Sequence, residues 1–363
     1  MRETATPDYR ITRTKPTINI LNYLIIAAVC FILTSCTGSM LPGMSNIPQC
    51  QSNCGVGFGV QGVQIFVEPN DGEQVITNAI GSAQRSIWLE IYILSDHNVI
   101  RALEEASNRG LDVRVMLEPH PFGGGTSPSK TLDTLAAAGI KTQFTNPSFS
   151  LTHEKSMIVD GTTAYIMTSN FSRSALGGSS SGYRNREYGI IDTNQQDVQA
   201  TASIFIADWN HATAQFNDPN LVVSPINARN DFTTLINSAH STLLIEAEEM
   251  NDSDIEQALA NVAQHGVQVE VILPGANTSS GDSNSQGIAT IKQGGVQVRE
   301  DPQLYMHAKI IVADSRVAFV GSENISTQSL DQNRELGIIV SDLSVLNKIQ
   351  TTFQNDWGVS QNV

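Results

Sequence analysis

The chain repeats itself, and no other feature constrains its fold as strongly. "RSIWLEIYILSDHNVIRALEEASNRGLDVRVMLEP" (Arg85 to Pro119) returns as "STLLIEAEEMNDSDIEQALANVAQHGVQVEVILPG" (Ser241 to Gly275). At an offset of 156 residues, Glu90 meets Glu246, Asp96 meets Asp252 and Gly110 meets Gly266; upstream, Pro69 meets Pro225 and Ala83 meets Ala239. "NREYGII" (Asn185 to Ile191) recurs as "NRELGII" (Asn333 to Ile339), and Asp208-Trp209 as Asp356-Trp357. A period this long excludes a solenoid and means two similar halves. Residues 63–215 form the first half and residues 216–363 the second.

Within each half the apolar pattern switches between strand and helix periods. "SIWLEIYIL" reads as a strand, and "NVIRALEEASNRG" as a helix stopped by its glycine. "LDVRVMLEP" is the next strand, "SKTLDTLAAAG" a second helix, and "KTQFTN" a short strand. The expected class is α/β: two α-β-α halves with mostly parallel-stranded mixed sheets, packed together with one site between them.

The chemistry-bearing residues also occur twice. "THEKSMIVDGTTAYIMTSNFS" (Thr152 to Ser172) and "MHAKIIVADSRVAFVGSENIS" (Met306 to Ser326) place His153, Lys155 and Asp160 at the spacing of His307, Lys309 and Asp314. Asn170 matches Asn324, and a glutamate follows each block, at Glu187 and Glu335. Residues i and i+2 of a strand share a face, so each His and Lys point together. "VDGTT" and "ADSRV" read as hairpin turns, which bring Thr168 or Ser322, and then the Asn, back beside the His. An imidazole, an ammonium, a hydroxyl and an amide at one spot suit a tetrahedral oxyanion such as a phosphodiester. Two such sets facing each other can divide the work of displacement. One neutral imidazole attacks phosphorus and one imidazolium protonates the leaving oxygen. Each ring needs an acceptor on its second nitrogen, and Glu187 and Glu335 are the natural candidates.

On these residues the chain resembles the phospholipase D superfamily, whose mark is two HxK-x4-D motifs, each completed by Gly-Ser-x-Asn. His307, Lys309, Asp314, Gly321, Ser322 and Asn324 match in full. The first motif matches at His153, Lys155, Asp160 and Asn170 and departs at Met167-Thr168, which bears on how closely substrate approaches that side. The resemblance implies that His153 forms a phosphohistidine and that His307 is the acid/base. It implies that Lys155, Lys309, Asn170 and Asn324, helped by Ser322 and Thr168, bind the phosphate oxygens. It also implies that Glu187 orients His307 and Glu335 orients His153, each from the opposite half. Asp160 and Asp314 are expected to be structural. No cofactor and no metal are called for, and the lysines would repel a cation from a His/Asp/Glu site. Phospholipid is the expected substrate, with water or a small alcohol as acceptor, and the chain is read as a monomer.

The bland readings weigh differently from residue to residue. A lone strand histidine is usually a satisfied core residue, but two of the seven histidines share the same surroundings in a repeat. Glu90 and Glu246 sit mid-strand, where a carboxylate needs a partner; they either orient the site or close a structural network. "EPHPFGGG" (Glu118 to Gly125) reads as a loop after a strand, where α/β ligands bind, and "ALGGSSSGYRN" (Ala175 to Asn185), longer than its counterpart in the second half, as a mobile flap.

Charge narrows the substrate. Lys and Arg number 21 against 36 Asp and Glu, and the acidic excess is larger beyond residue 35. Such a surface repels polyanions and argues against long nucleic acid as a partner. At the N-terminus, Arg10, Arg13 and Lys15 precede the mostly apolar "INILNYLIIAAVCFILTSC". Residues 1–36 read as an export signal ending in a lipobox-like "LTSC", with Cys36 lipidated. Cys50 and Cys54 are expected to close a small disulfide loop in an exported linker of residues 37–62. The sequence is thus read as an exported, lipid-anchored phospholipase D that hydrolyses or transphosphatidylates phospholipids at the periplasm or cell surface. Alternatives are a nuclease of the same superfamily, a cardiolipin synthase-like phosphatidyl transferase, and, last, a catalytically dead binding module.

Overall fold

The computed structural model describes residues 59–122, 127–178, 184–275 and 279–363. The expected signal of residues 1–36, the lipidation site Cys36 and the Cys50–Cys54 pair lie outside the described residues. No helix among the described residues is long and apolar enough to cross a membrane.

The first half builds a sheet from β1 (Gln64–Glu68), β2 (Ser86–Ile91), β3 (Asp112–Leu117), β4 (Lys141–Phe144), β5 (Lys155–Val159), β6 (Thr163–Met167) and β7 (Asn185–Asp192). Their order is β1-β7-β6-β5-β2-β3-β4. The second half has β8 (Leu221–Ser224), β9 (Thr242–Ala247), β10 (Met250–Asn251), β11 (Gln268–Pro274), β12 (Gln297–Asp301) and β13 (Tyr305–Met306). It continues with β14 (Lys309–Ala313), β15 (Val317–Gly321), β16 (Ile325–Ser326), β17 (Glu335–Val340) and β18 (Gln361–Asn362). Its order, β18-β12-β11-β9-β14-β15-β17-β8, repeats that of the first sheet with β18 added at the edge. The duplication read from the sequence is therefore a duplication of topology.

Strand direction departs from the expectation. Apart from the short parallel pairing of β13 with β7, only two pairings in each main sheet are parallel, β2-β3 and β3-β4, then β9-β11 and β11-β12. These are the strands joined by helical crossovers. The remaining pairings are antiparallel, because β5-β6 and β14-β15 are hairpins with tight turns, which only antiparallel strands accommodate. The sheets are mixed, with the antiparallel share the larger.

The two sheets pack face to face through alternate, inward-pointing apolar residues. Ile166 and Ile190 from the first half meet Ile310, Val320 and Ile338 from the second in one buried cluster. The outer faces are covered by helices, α1 (Gln74–Ser82) and α2 (His97–Asn108) on one side, α3 (Ala228–Asn237) and α4 (Ser253–Gln264) on the other. The helices stop where their glycines predict: Gly110 and Gly266 take φ of 87° and 96°, a conformation that side chains disfavour. The end of the expected linker is not free. Val60 is buried and exchanges backbone hydrogen bonds with Ile339 and Ser341 at the edge of β17.

Asp160 and Asp314 occupy the two hairpin turns with φ of 56° and 53°. Each carboxylate collects the amides of the segment entering the neighbouring strand. Asp160 accepts from Gln84, Arg85 and Ser86, and Asp314 from His240, Ser241 and Thr242, at 2.6 to 3.1 Å. Burial opposes ionisation of Asp314, but these amide donors hold its pKa below the usual value. Their stabilisation is present above the ordinary carboxylate pKa and is lost as pH falls through the depressed one. Asp314→Ala is expected to lower stability by about 1–2 kcal/mol in urea unfolding, with the difference from the parent shrinking below pH 4. An unchanged midpoint at neutral pH would refute this role.

Candidate active site

The site is assembled by an exchange of main chain between the halves. The segment entering β5 crosses to the second half, where the His153 and Glu154 amides both donate to the carbonyl of Arg334, at 2.8 and 3.0 Å. Arg334 immediately precedes Glu335, so the His153 ring arrives beside that carboxylate, Nδ1 to Oε2, 2.9 Å. Reciprocally, β13 pairs in parallel with Asn185 and Arg186 at the start of β7. That register brings His307 to Glu187, with Nδ1 2.8 Å from Oε1. The cross-half His–Glu pairing expected from the resemblance is thus the geometry found.

Every residue of the repeated Asn-Arg-Glu has a task. Asn185 and Asn333 donate to Glu187 and Glu335, at 2.9 and 3.2 Å. Arg186 donates from Nε and Nη2 to Asp356, at 2.5 and 2.8 Å, and the Arg334 guanidinium lies 2.8 Å from Asp208. Both ion pairs cross between halves, which explains why Asp-Trp recurs near each half's end. Glu335 also accepts from the Ser329 hydroxyl at 2.8 Å. Sequence reasoning missed Asn185 and Asn333 as site residues, although the repeated "NRE" was the signal, and Ser329 lies outside both repeated stretches.

Thr168 and Ser322 do not face the phosphate position. Both are fully buried. Thr168 donates to Glu187 at 2.6 Å and accepts from the Tyr188 amide; Ser322 accepts from the Leu336 amide at 3.0 Å. They end β6 and β15 pointing at the adjacent strand, so they hold the glutamate strands rather than substrate. The Met167 departure is equally remote: its side chain is in the core between sheet and helices. At the matching Gly321 a Cβ would lie 2.4 Å from the Gly337 Cα, so glycine is a packing requirement of that half.

Between the halves lies a cleft of about 630 Å³, lined by both histidines and by Asn170 and Asn324. Lys155 and Lys309 are buried behind the histidines, each donating to the carbonyl of its own motif histidine, His153 and His307, at 2.5 and 2.7 Å. The two sides then differ. Position 92 in the first half is a tyrosine, whose ring meets His153 edge-on at 4.7 Å and lies 5.3 Å from the Lys155 ammonium. The matching position in the second half is Glu248, which accepts from Lys309 at 2.7 Å and approaches His307 Nε2 to 3.4 Å. Glu248 also accepts from the Tyr305 hydroxyl at 2.7 Å. Neither Tyr92 nor Glu248 was singled out in the sequence, because each breaks the repeat.

Burial sets the electrostatics. It pushes the His153 ring down to about 4, with Lys155 and Lys309 adding to the effect and Glu335 opposing it. It brings Lys155 down to about 7 against the pull of Glu335. Burial also works against ionised Glu335 and Glu248, but His153 and His307 respectively, each with its neighbouring lysine, more than offset it and lower both carboxyls. In the interior, the buried Glu90, Glu154 and Asp208 come within 4.8 Å of one another. Burial, then mutual repulsion, drives Glu90 well above the usual range, and Glu154 up to about 7. Arg334 supplies their nearby positive charge, so the trio belongs to the inter-half network. Neither carboxyl oxygen of Glu90 has a hydrogen-bond partner among the described residues, so the structure bears out neither sequence reading of Glu90, as an orienting group or as part of a hydrogen-bond network.

A profile of the family described as "Cardiolipin synthase, PLD-like domain" matches residues 76–209 and 232–357, one segment in each half. The chain belongs to this family. The resemblance to the phospholipase D superfamily therefore holds. Among curated relatives, a cardiolipin synthase of Clostridium perfringens (strain SM101 / Type A) is 23% identical over 346 residues, covering 83% of this chain and 71% of the relative. The major cardiolipin synthase ClsA of Bacillus subtilis is 25% identical over 342 residues, covering 82% and 69%. Among solved structures, phosphatidylserine synthase from Haemophilus influenzae superposes with a TM-score of 0.62 at 14% identity, over 84% of this chain and 88% of that one. Polyphosphate kinase from Porphyromonas gingivalis gives the same TM-score at 14% identity, over 80% of this chain and 46% of that one. These two likenesses establish the fold.

Two outcomes follow. Glu335→Gln and Glu187→Gln are each expected to lower turnover by about 10²–10⁴-fold with unchanged circular dichroism; full activity in either would show that the dyads are not used. In a ring-NMR titration His153 is expected to titrate near 4, against 6.5 for an ordinary imidazole. The unfolded chain then binds the extra proton first, so this group's contribution to stability is lost as pH falls from 6.5 toward 4. A midpoint at or above 6.5 would contradict the burial argument.

Proposed function

We propose that the chain is a phosphatidyl transferase of the cardiolipin synthase type, moving a phosphatidyl group between alcohols through a phosphohistidine. The observation that carries this reading is the pair of His–Glu dyads facing each other across one cleft, each completed by the other half. His153, kept neutral by burial, attacks phosphorus with Nε2. The leaving alcohol takes a proton from His307 Nε2. An acceptor hydroxyl then returns its proton to His307, its oxygen attacks phosphorus, and the P–N bond breaks with its electron pair going back to His153. Lys155, Lys309, Asn170 and Asn324 stabilise the non-bridging oxygens.

The names of the relatives favour transfer over the hydrolysis put first on sequence grounds; water in the acceptor's place gives phospholipase D hydrolysis as the second reading. Glu248 in the cleft lining, held below the usual carboxyl range by His307 and Lys309, adds negative charge where a nucleic acid would have to lie, which weighs against a nuclease. We further propose that residues 1–36 export the chain and that Cys36 anchors it to a membrane.

The full chain in detergent micelles can be offered phosphatidylglycerol, phosphatidylcholine and DNA. Formation of cardiolipin with release of glycerol is the expected result. Phosphatidic acid as the sole product would favour hydrolysis, and DNA cleavage without lipid turnover would sink the proposal. His153→Asn and His307→Asn should each reduce turnover by about 10³-fold or more.

A further inference from the structure

The two halves of the cleft are unlike in polarity. Tyr92 lies against His153, and Ile93, Phe122 and Leu151 add apolar lining beside the polar Ser329 and Asn333 that reach Glu335, whereas Glu248 and Tyr305 lie against His307. Where the duplication would place a second tyrosine, the chain has a carboxylate.

We propose that Glu248 is a specificity-determining residue, selecting the alcohol beside His307 by accepting a hydrogen bond from a hydroxyl vicinal to the reacting one. The inference rests on the division of labour between His153 and His307 proposed above. In an in-line displacement the leaving and entering alcohols both occupy the His307 side, opposite the attacking His153 nitrogen. There, His307 Nε2 and Glu248 Oε2 are 3.4 Å apart, a separation that two oxygens on adjacent carbons span. When the acceptor attacks, its reacting oxygen gives its proton to His307 Nε2 and bonds to phosphorus, and the P–N bond electrons return to His153. The neighbouring hydroxyl meanwhile keeps its proton and donates to Glu248, which is unchanged at the end.

The chemistry favours a neutral polyol over an amine. Glu248 already faces the Lys309 ammonium at 2.7 Å. A second cation entering there meets Lys309, whereas a hydroxyl meets only an acceptor with a lone pair to spare. The apolar lining opposite suits the acylated part of a phospholipid, which remains on phosphorus throughout.

The test is acceptor competition by the full chain, using two donors: phosphatidylcholine in micelles and the lipid-free diester bis(p-nitrophenyl) phosphate. Glycerol, propan-1-ol and ethanolamine are supplied at equal concentration, and the adduct ratios are read by mass spectrometry. A ratio is independent of how much of a variant is folded. The parent chain is expected to favour glycerol over propan-1-ol by about tenfold or more, the effect of one hydrogen bond to a charged group. Glu248→Gln should cut that ratio about tenfold, Glu248→Tyr should bring it close to one, and Glu248→Asp should retain part of it. An unchanged ratio in Glu248→Gln overturns the inference. So does a preference for ethanolamine over glycerol, acceptance of water alone, or loss of all turnover in both the Gln and Asp variants. If the aryl donor shows the glycerol preference while phosphatidylcholine is inert, the lipid reading fails and the role of Glu248 stands.

Discussion

Each histidine is held by a glutamate that belongs to the other half, and the rest of the molecule is arranged around that exchange. A shared ladder of main-chain hydrogen bonds produces it: His153 and Glu154 bond the carbonyl of Arg334, and Tyr305 and Met306 pair with Asn185 and Arg186. Neither half could hold its own histidine in this way. The buried pairs Arg186–Asp356 and Arg334–Asp208 cross the same boundary, and separating them would leave uncompensated charge in the interior. The packing of the two sheets and the integrity of the site are therefore one requirement.

Burial gives the site its chemical character. A histidine kept neutral to about pH 4 and a lysine brought down to about 7 are costly in isolation, and each is tolerated because ionised glutamates lie within reach. The same burial in the layer beneath has the opposite result: Glu90 and Glu154, crowded by Asp208, are pushed toward the protonated form. Glu335 and Glu248, directly against His or Lys, are held below the usual carboxyl range, and Glu90 and Glu154, facing other acids, are pushed above it.

The duplication is a scaffold from which the functional differences depart. Thr168 replaces the serine and Met167 the glycine with no consequence for the cleft, since both point into packed strands. The exchange of Tyr92 for Glu248 does change the cleft, because strand alternation turns that position toward the histidines. Sequence position in the repeat did not distinguish these two kinds of departure; the direction of the side chain did.

The sequence by itself determined two α/β halves, their strands and helices, the paired His-Lys motifs, the hairpin turns and the helix-stopping glycines. These are written in local periodicity, in turn residues with positive φ, and in a repeat that any fold of the chain must honour. It also supplied both glutamates. Only the tertiary structure decided that Thr168 bonds Glu187 while Ser322 bonds the Leu336 amide beside Glu335, that antiparallel pairings outnumber parallel ones, and that Arg186 and Arg334 reach across to Asp356 and Asp208. It alone turned Glu248 toward His307. The reason is physical: a motif fixes which residues share a strand face, but partners more than a hundred residues apart are chosen by the register in which two sheets meet.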